Sequence, residues 1–269
     1  TKTAAADAAN YPFCTIEPNT GRVAVPDPRL SQIAELAKSA EAIPTFLEFV
    51  DIAGLVRGAA NGEGLGNQFL ANIREVDAII HVLRCFEDSD ITHVENSIDP
   101  IRDAATVETE LMLADMDSLE RRMATLTKKT RGGDKQAAAD LKLMEKIFAG
   151  LSNGLLARAV SGLTDTEILR LPQLQLLTAK PILYACNVAE KDTAKGNRLS
   201  AKVAEKAAEE GAACVIVSAA IEAEIATLSD EEAEDFISDL GLEEPGLKRL
   251  IRAGYDLLDL LTFFTAGPK

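Results

Sequence analysis

The run Glu48-Phe49-Val50-Asp51-Ile52-Ala53-Gly54-Leu55 is a short hydrophobic segment ending in D-x-x-G, and it restricts the fold more than any other stretch of the chain. Such a segment reads as a buried strand that delivers Asp51 to the carboxyl edge of a sheet. There a carboxylate can meet magnesium, and the Gly54 amide can approach a terminal phosphate because glycine has no Cβ in the way. An ordinary strand and turn share the same short pattern. The residues that follow favour the first reading. Glycines at 58, 62, 64 and 66 predict a loop of low intrinsic stability, then a helix near 67–76 and a second apolar, β-branched strand at 78–84 in which His81 is a packed structural residue. Strand, glycine loop, helix and strand make a βαβ unit, which predicts an α/β fold built on a mostly parallel sheet flanked by helices.

With 269 residues and 47% hydrophobic content, the chain can bury a sizeable core, and it has no run of eighteen apolar residues, so no membrane partner is expected. A formal net charge of −15 argues against DNA binding, because phosphate backbones are repelled by most of such a surface. Cysteines at 14, 85, 186 and 214 lack C-x-x-C spacing and read as reduced thiols, which predicts a cytoplasmic protein.

Residues 103–156 are dominated by Ala, Leu, Glu, Lys and Arg and predict a helical hairpin that reverses at Arg131-Gly132-Gly133-Asp134. Met112, Met116, Leu119, Met123 and Leu126 give the first arm a seam of coiled-coil type, and Ala137, Leu141, Met144, Phe148, Leu151 and Leu155 give one to the second. Near the tip, Arg121, Arg122, Lys128, Lys129, Arg131 and Lys135 invert the sign of an otherwise acidic protein. A solvated helix surface and an RNA-phosphate contact both fit that run. Beyond it, Thr164 caps a helix expected to reach about Leu177, strands follow at 181–187 and 214–218, and a helix at 200–211 lies between them. The sheet thus resumes after the hairpin. The expected organisation is a first part at 1–102, an inserted hairpin at 103–162 and a second part at 163–261.

Four collinear stretches carry a family resemblance: Tyr11-Pro12-Phe13-Cys14-Thr15-Ile16-Glu17-Pro18-Asn19, the D-I-A-G-L-V-R-G run from Asp51, Asn187-Val188-Ala189-Glu190, and Gly241-Leu242-Glu243-Glu244-Pro245-Gly246. Together they resemble the YchF (Obg-like ATPase) family of P-loop NTPases over nearly the whole chain. The resemblance implies a magnesium-dependent switch that binds and hydrolyses ATP and associates with ribosomes or ribosomal RNA. A GTPase, or a non-catalytic ribosome-binding module, are the alternatives. No G-x-x-x-x-G-K-[ST] phosphate loop occurs in the sequence. The expectation is therefore a fragment that lacks this loop, is inactive as it stands, and breaks off at 262–269 in the first strand of a TGS domain.

The same resemblance implies the site. Thr15 and Asp51 would hold Mg2+, and Gly54 would donate its amide to the γ-phosphate. Leu55 stands where many switch GTPases carry a water-orienting glutamine, and a leucine makes no hydrogen bonds. That task falls by resemblance to His93, which could orient water or stabilise developing charge. Asn187, Val188 and Glu190 replace the N-K-x-D guanine reader, with Ser218 and Ala219 as a second loop beside the base. Glu190 is one methylene longer than aspartate, and Val188 lacks a lysine stem to lie on the base. Both changes weaken guanine recognition and favour ATP.

Overall fold

The computed structural model describes residues 19–52, 65–88 and 97–267. The chain divides into two compact units, one formed by Thr1–Asp51, Ile80–Pro100 and Ile182–Lys269, the other by Ile52–Ile79 and Ile101–Pro181.

In the first unit, strands β1 (Asn19–Ala24) and β2 (Phe46–Asp51) pair antiparallel, with Asn19 opposite Asp51 and Ala24 opposite Phe46. Helix α1 (Pro28–Ala37) joins them. Asp27 caps it by accepting from Arg29 N, and Pro28 begins it where a missing N–H costs nothing. A separate three-stranded sheet has the order β3 (Ile79–Arg84), β4 (Ile182–Asn187), β5 (Ala213–Val217). β4 and β5 run parallel, with Asn187 opposite Val217. The middle strand has hydrogen-bonded neighbours on both sides, and its residues 182–186 are all buried, as an unbroken apolar run requires. Helix α6 (Arg198–Glu210) forms the crossover between β4 and β5, starting at an Asn197 cap and ending at Gly211, whose φ of 65° is open to glycine at no steric cost. Helices α7 (Ala219–Ile225) and α8 (Asp230–Asp239) follow β5, and α9 (Gly246–Leu257) packs on β4 and β5. His81 stacks at a tilt on Tyr184, with ring centroids 6.0 Å apart, as a packed residue should.

The strand carrying Asp51 differs from its expected place. Instead of being buried within a parallel sheet, β2 pairs with β1 and alternates between exposed and half-buried residues, which leaves Phe46 45% exposed. Among the described residues β1 is its strand partner, and successive side chains point to opposite faces of that ribbon, one more covered than the other.

The second unit holds α2 (Leu65–Glu75), α3 (Pro100–Thr130), α4 (Lys135–Ser152) and α5 (Asp165–Arg170). The reversal between α3 and α4 falls at residues 131–134, where Gly133 takes φ 83° and Asp134 caps α4 through Gln136 N and Ala137 N. The first-arm seam packs as expected, with Leu119 fully buried among Met112, Met116, Met123 and Leu126. On the second arm Ala137, Met144 and Leu151 of the expected seam are buried and Phe148 packs on the same core, Leu143 and Ile147 widen the packed face, and Leu155, past the end of α4, is 47% exposed. The reason lies downstream. Ala157, Leu174 and Leu176 pack into the same core, so α4 faces a third layer as well as α3. Each fully buried leucine there contributes roughly 2 kcal/mol.

α5 stops at Arg170, short of the expected Leu177. Pro172 has no N–H to donate to Ile168, and the chain tightens into a 3-10 turn at Leu171–Leu174 before Gln175 turns left-handed at φ 50°. The segment is held instead by Asp115 of α3. This wholly buried carboxylate accepts from Leu177 N (2.9 Å), Thr178 N (2.8 Å) and Thr178 Oγ1 (2.7 Å). Burial pushes its carboxyl above the ordinary range, against the pull of those donors. A second apolar cluster joins Leu70 and Ile73 of α2 to Leu111 and Ala114 of α3 and to Leu177. Lys180 adds a polar tie by donating to the carbonyls of Arg74 and Val76 at the end of α2.

Glu167 gives this unit an acid-sensitive joint. It completes the α5 capping box with Thr164 and takes both hydrogen bonds from Lys146 of α4 at 2.8 Å. Lys146 first, then the Thr164 N–H, hold its carboxyl down at about 2, against an ordinary 4.5. A depressed carboxyl stabilises the fold above its unfolded value and loses that contribution as pH falls through the folded one. Amide exchange in α5 should therefore accelerate as pH is lowered from about 4.5 to 2, after correction for intrinsic rates, and Glu167→Gln should show fast exchange already at neutral pH. An α5 whose protection in the parent ignores pH would contradict the assignment.

Candidate functional site

The carboxyl ends of β4 and β5 bring together five of the residues singled out in the sequence. Asn187 ends β4, and its Oδ1 accepts from Ala219 N at 3.0 Å, which ties the β4 end to the first turn of α7. The Asn187 carbonyl accepts from Cys85 N at 2.7 Å, and Val188 N donates to the Val217 carbonyl at 2.9 Å. The two loops are thus joined to all three strands. Glu190 and Ala219 are exposed, Asn187 is half-buried, and Val188 and Ser218 are 2% and 1% exposed. The Ser218 hydroxyl is enclosed without a hydrogen-bond partner. Val188 and Ser218 therefore line the floor beneath this edge, and the Glu190 side chain stands exposed at it.

Residues outside the expected set fix this edge. The chain leaves Glu190 in a single 3-10 turn, Glu190–Asp192, closed by Thr193, whose Oγ1 donates to the Glu190 carbonyl at 2.8 Å. Gly196 then takes φ 72°, and a Cβ there would lie 2.6 Å from Ser200 Oγ and 2.8 Å from Ile216 Cδ1, so only glycine passes. Asn197 caps α6 through Leu199 N and Ser200 N. Its Nδ2 donates back to the Cys85 carbonyl at 2.7 Å and to Asp192 Oδ2 at 3.0 Å. The capping signal, an Asn three places before Ser200 at the start of an Ala/Lys/Glu-rich run, is visible in the sequence. Its link back to β3 is not.

Beneath the edge, Cys186 and Cys214 place their sulfurs 3.5 Å apart, and Cys85, Cys186 and Cys214 are free thiols. A hydrogen bond from Cys214 pulls the Cys186 thiol down, but Cys85 and burial outweigh it and push it up to about 12. The Cys214 thiol is also pushed up, by Cys186 and by burial. Thiols held protonated in this way are packing groups rather than nucleophiles.

Asp51 ends β2 as an exposed carboxylate. Thr15, Gly54 and His93, with the glycine loop at 58–64, lie outside the described residues. Among the described residues no group of three or more His, Cys, Asp or Glu is arranged to hold a metal. A lone hard-oxygen donor such as Asp51 suits Mg2+, which keeps several waters and takes its other ligands from phosphate oxygens.

The basic run at the hairpin tip separates into two groups. Arg122 is half-buried: its Nη1 donates to the Leu174 carbonyl at 2.7 Å, and burial pulls its guanidinium below the ordinary value. It serves the packing of the hairpin on residues 171–176. Arg121 pairs with Asp117 one turn away at 2.8 Å. Lys128, Lys129, Arg131 and Lys135 are exposed around the reversal. Among the described residues no helix is long and apolar enough to cross a membrane.

Comparison with known proteins agrees with this geometry. The family described as 50S ribosome-binding GTPase matches residues 1–115. A Haemophilus influenzae protein named ribosome-binding ATPase YchF is 57% identical over 98% of this chain and 72% of its own length. Its Bacillus subtilis namesake is 48% identical over 99% and 73%. The solved structure of the Schizosaccharomyces pombe YchF GTPase superposes with a TM-score of 0.81 at 35% identity, covering 99% of this chain and 72% of that one. These alignments run through almost all of this chain and span 72–73% of each relative's own length. At such identity, sustained over nearly three quarters of each relative, the chain belongs to the YchF family.

Proposed function

We propose that the intact protein is a magnesium-dependent ATPase that associates with ribosomes and changes state as it hydrolyses ATP to ADP and phosphate. The observation that carries the proposal is the joined edge of β4 and β5. Asn187 is locked to Ala219, and Glu190 stands exposed where a guanine reader would place an aspartate. Relatives named ribosome-binding ATPases support it.

In this reading Asn187, the Val188 backbone, Glu190, Ser218 and Ala219 form the base side of the site. A carboxylate set one methylene further out does not satisfy the ring N–H and exocyclic amine of guanine together, so a penalty against adenine is removed. Asp51 and Thr15 hold the metal, which when bound screens charge on the phosphates. Gly54 offers its amide to the γ-phosphate, and His93 orients the attacking water in place of the glutamine that Leu55 displaces. The name of the fission-yeast relative, a GTPase, keeps guanine-nucleotide hydrolysis as the second reading. In this reading the protein is cytoplasmic.

Phosphate release from ATP, sensitive to magnesium chelation and faster than release from GTP, is the test of the activity. Its absence for both nucleotides overturns the proposal. The ribosomal contact is assigned to the four exposed cations at the hairpin reversal. Charge reversal at Lys128, Lys129 and Arg131 together should weaken co-sedimentation with ribosomes by about tenfold or more at low salt and flatten its salt dependence, since each phosphate contact releases counterions. Co-sedimentation unchanged by the triple variant would remove the tip from the contact.

A further inference from the structure

We propose that Asn197 is a positioning residue for base selection, which holds the 188–193 loop against the end of β3 and so sets where Glu190 stands. The inference rests on reading the β4–β5 edge as the base side of a nucleotide site, and it adds a residue that no motif there contains.

The side chain of Asn197 works in two directions. Its Oδ1 accepts from Leu199 N at 2.9 Å and from Ser200 N at 3.1 Å, which is the work of a helix cap. Those two acceptor contacts fix the orientation of the amide, because the opposite flip would point NH2 at two N–H groups. Nδ2 therefore faces the other way and spends both hydrogens outside the helix, on the Cys85 carbonyl and on Asp192 Oδ2. Cys85 also donates its own N–H to the Asn187 carbonyl. One amide thus connects the end of β3, the last residue of the turn that begins at Glu190, and the start of α6.

Among the described residues, the turn's other hydrogen bonds run within the loop. Asp192 N donates to the Ala189 carbonyl, Thr193 N to the Glu190 carbonyl, and Gly196 N to the Asp192 carbonyl at 2.7 Å. These bonds make 189–196 a compact turn and do not anchor it to the sheet. Val188 N does so at its start, through Val217. At its far end the described side-chain anchor is Asn197. Without the two Nδ2 bonds the turn can pivot about Val188 as a body and carry the Glu190 carboxylate with it. A reader that discriminates adenine from guanine by where one carboxylate stands loses discrimination before it loses the fold.

Asn197→Ser separates the two roles, since serine caps a helix as well as asparagine but has no NH2 to send back. Asn197→Asp also caps, and sets a second carboxylate against Asp192. In both variants amide protection within α6 should stay within about twofold of the parent, while the amides of Asp192, Thr193 and Gly196 exchange about tenfold faster. The ratio of ATP to GTP affinity, measured with magnesium by competition, should fall by about threefold or more, with Asn197→Asp the larger effect. A helix cap alone would weaken both nucleotides together and leave the ratio in place. Loop amides unchanged in Asn197→Ser, or loosened with the ratio intact, would overturn the proposal. A parent protein that takes up neither nucleotide overturns the underlying reading as well, and is told apart because in the other failures the parent discriminates and the variants discriminate equally.

Discussion

Replacing Asp115 by alanine should cost about 3–5 kcal/mol of stability. The carboxylate is wholly buried, and it is the acceptor for two backbone N–H groups and one hydroxyl, at 2.7–2.9 Å. Removing it leaves Leu177 N and Thr178 N without a described partner in a dry site, each costing about 1–3 kcal/mol. The Thr178 hydroxyl also accepts from Ala157 N at 3.2 Å, so its displacement loosens a third segment. Because Leu177 also packs on α2 and α3, the damage should spread through both and spare β4 and β5. Asp115→Asn, which keeps one acceptor oxygen, should lose about half as much. Urea unfolding with residue-resolved exchange measures both, and a loss below about 1 kcal/mol for the alanine variant would contradict this assignment.

Replacing His93 by alanine in the intact protein should slow ATP hydrolysis by about a hundredfold while changing the Michaelis constant by less than about threefold. The reasoning is chemical. Phosphoryl transfer asks for an oriented water and for stabilised charge, and an aliphatic Leu55 supplies neither. A group that acts only when water attacks lowers kcat and leaves ground-state binding alone. Single-turnover rates alongside ATP affinity decide the matter. Equal losses in both would make His93 a structural residue.

Local signals were the legible part of this fold. Gly132, Gly133 and Asp134 announce the hairpin reversal because a left-handed residue and a helix cap have chemistry of their own. The apolar run of β4 and its polar end at Asn187 are equally plain, and the four collinear motifs named the family. Long-range partners stayed hidden. Asp115 reads as one acid among many on a helix, since its partners lie more than sixty residues away. Arg122 reads as part of a basic run until Leu174 takes it out. The second-arm seam was assigned on a two-helix geometry, and the third layer from residues 157–176 widened it to include Leu143 and Ile147. β2 was read as buried on its composition, and composition does not say whether both faces of a strand are covered. At the site the motif residues were legible singly, whereas the Asn197 link that joins their loop to β3 depends on where the Cys85 carbonyl ends up.

Competition binding with magnesium, in which ATP and GTP displace a labelled adenine nucleotide from this protein and from its Glu190→Asp variant, tests the role of the β4–β5 edge most directly. The parent should release the label to ATP at a concentration at least about tenfold lower than to GTP, and the variant should narrow that gap by restoring the shorter carboxylate. Displacement by neither nucleotide, or equal displacement by both in the parent, would contradict the reading of that edge as an adenine-selective site.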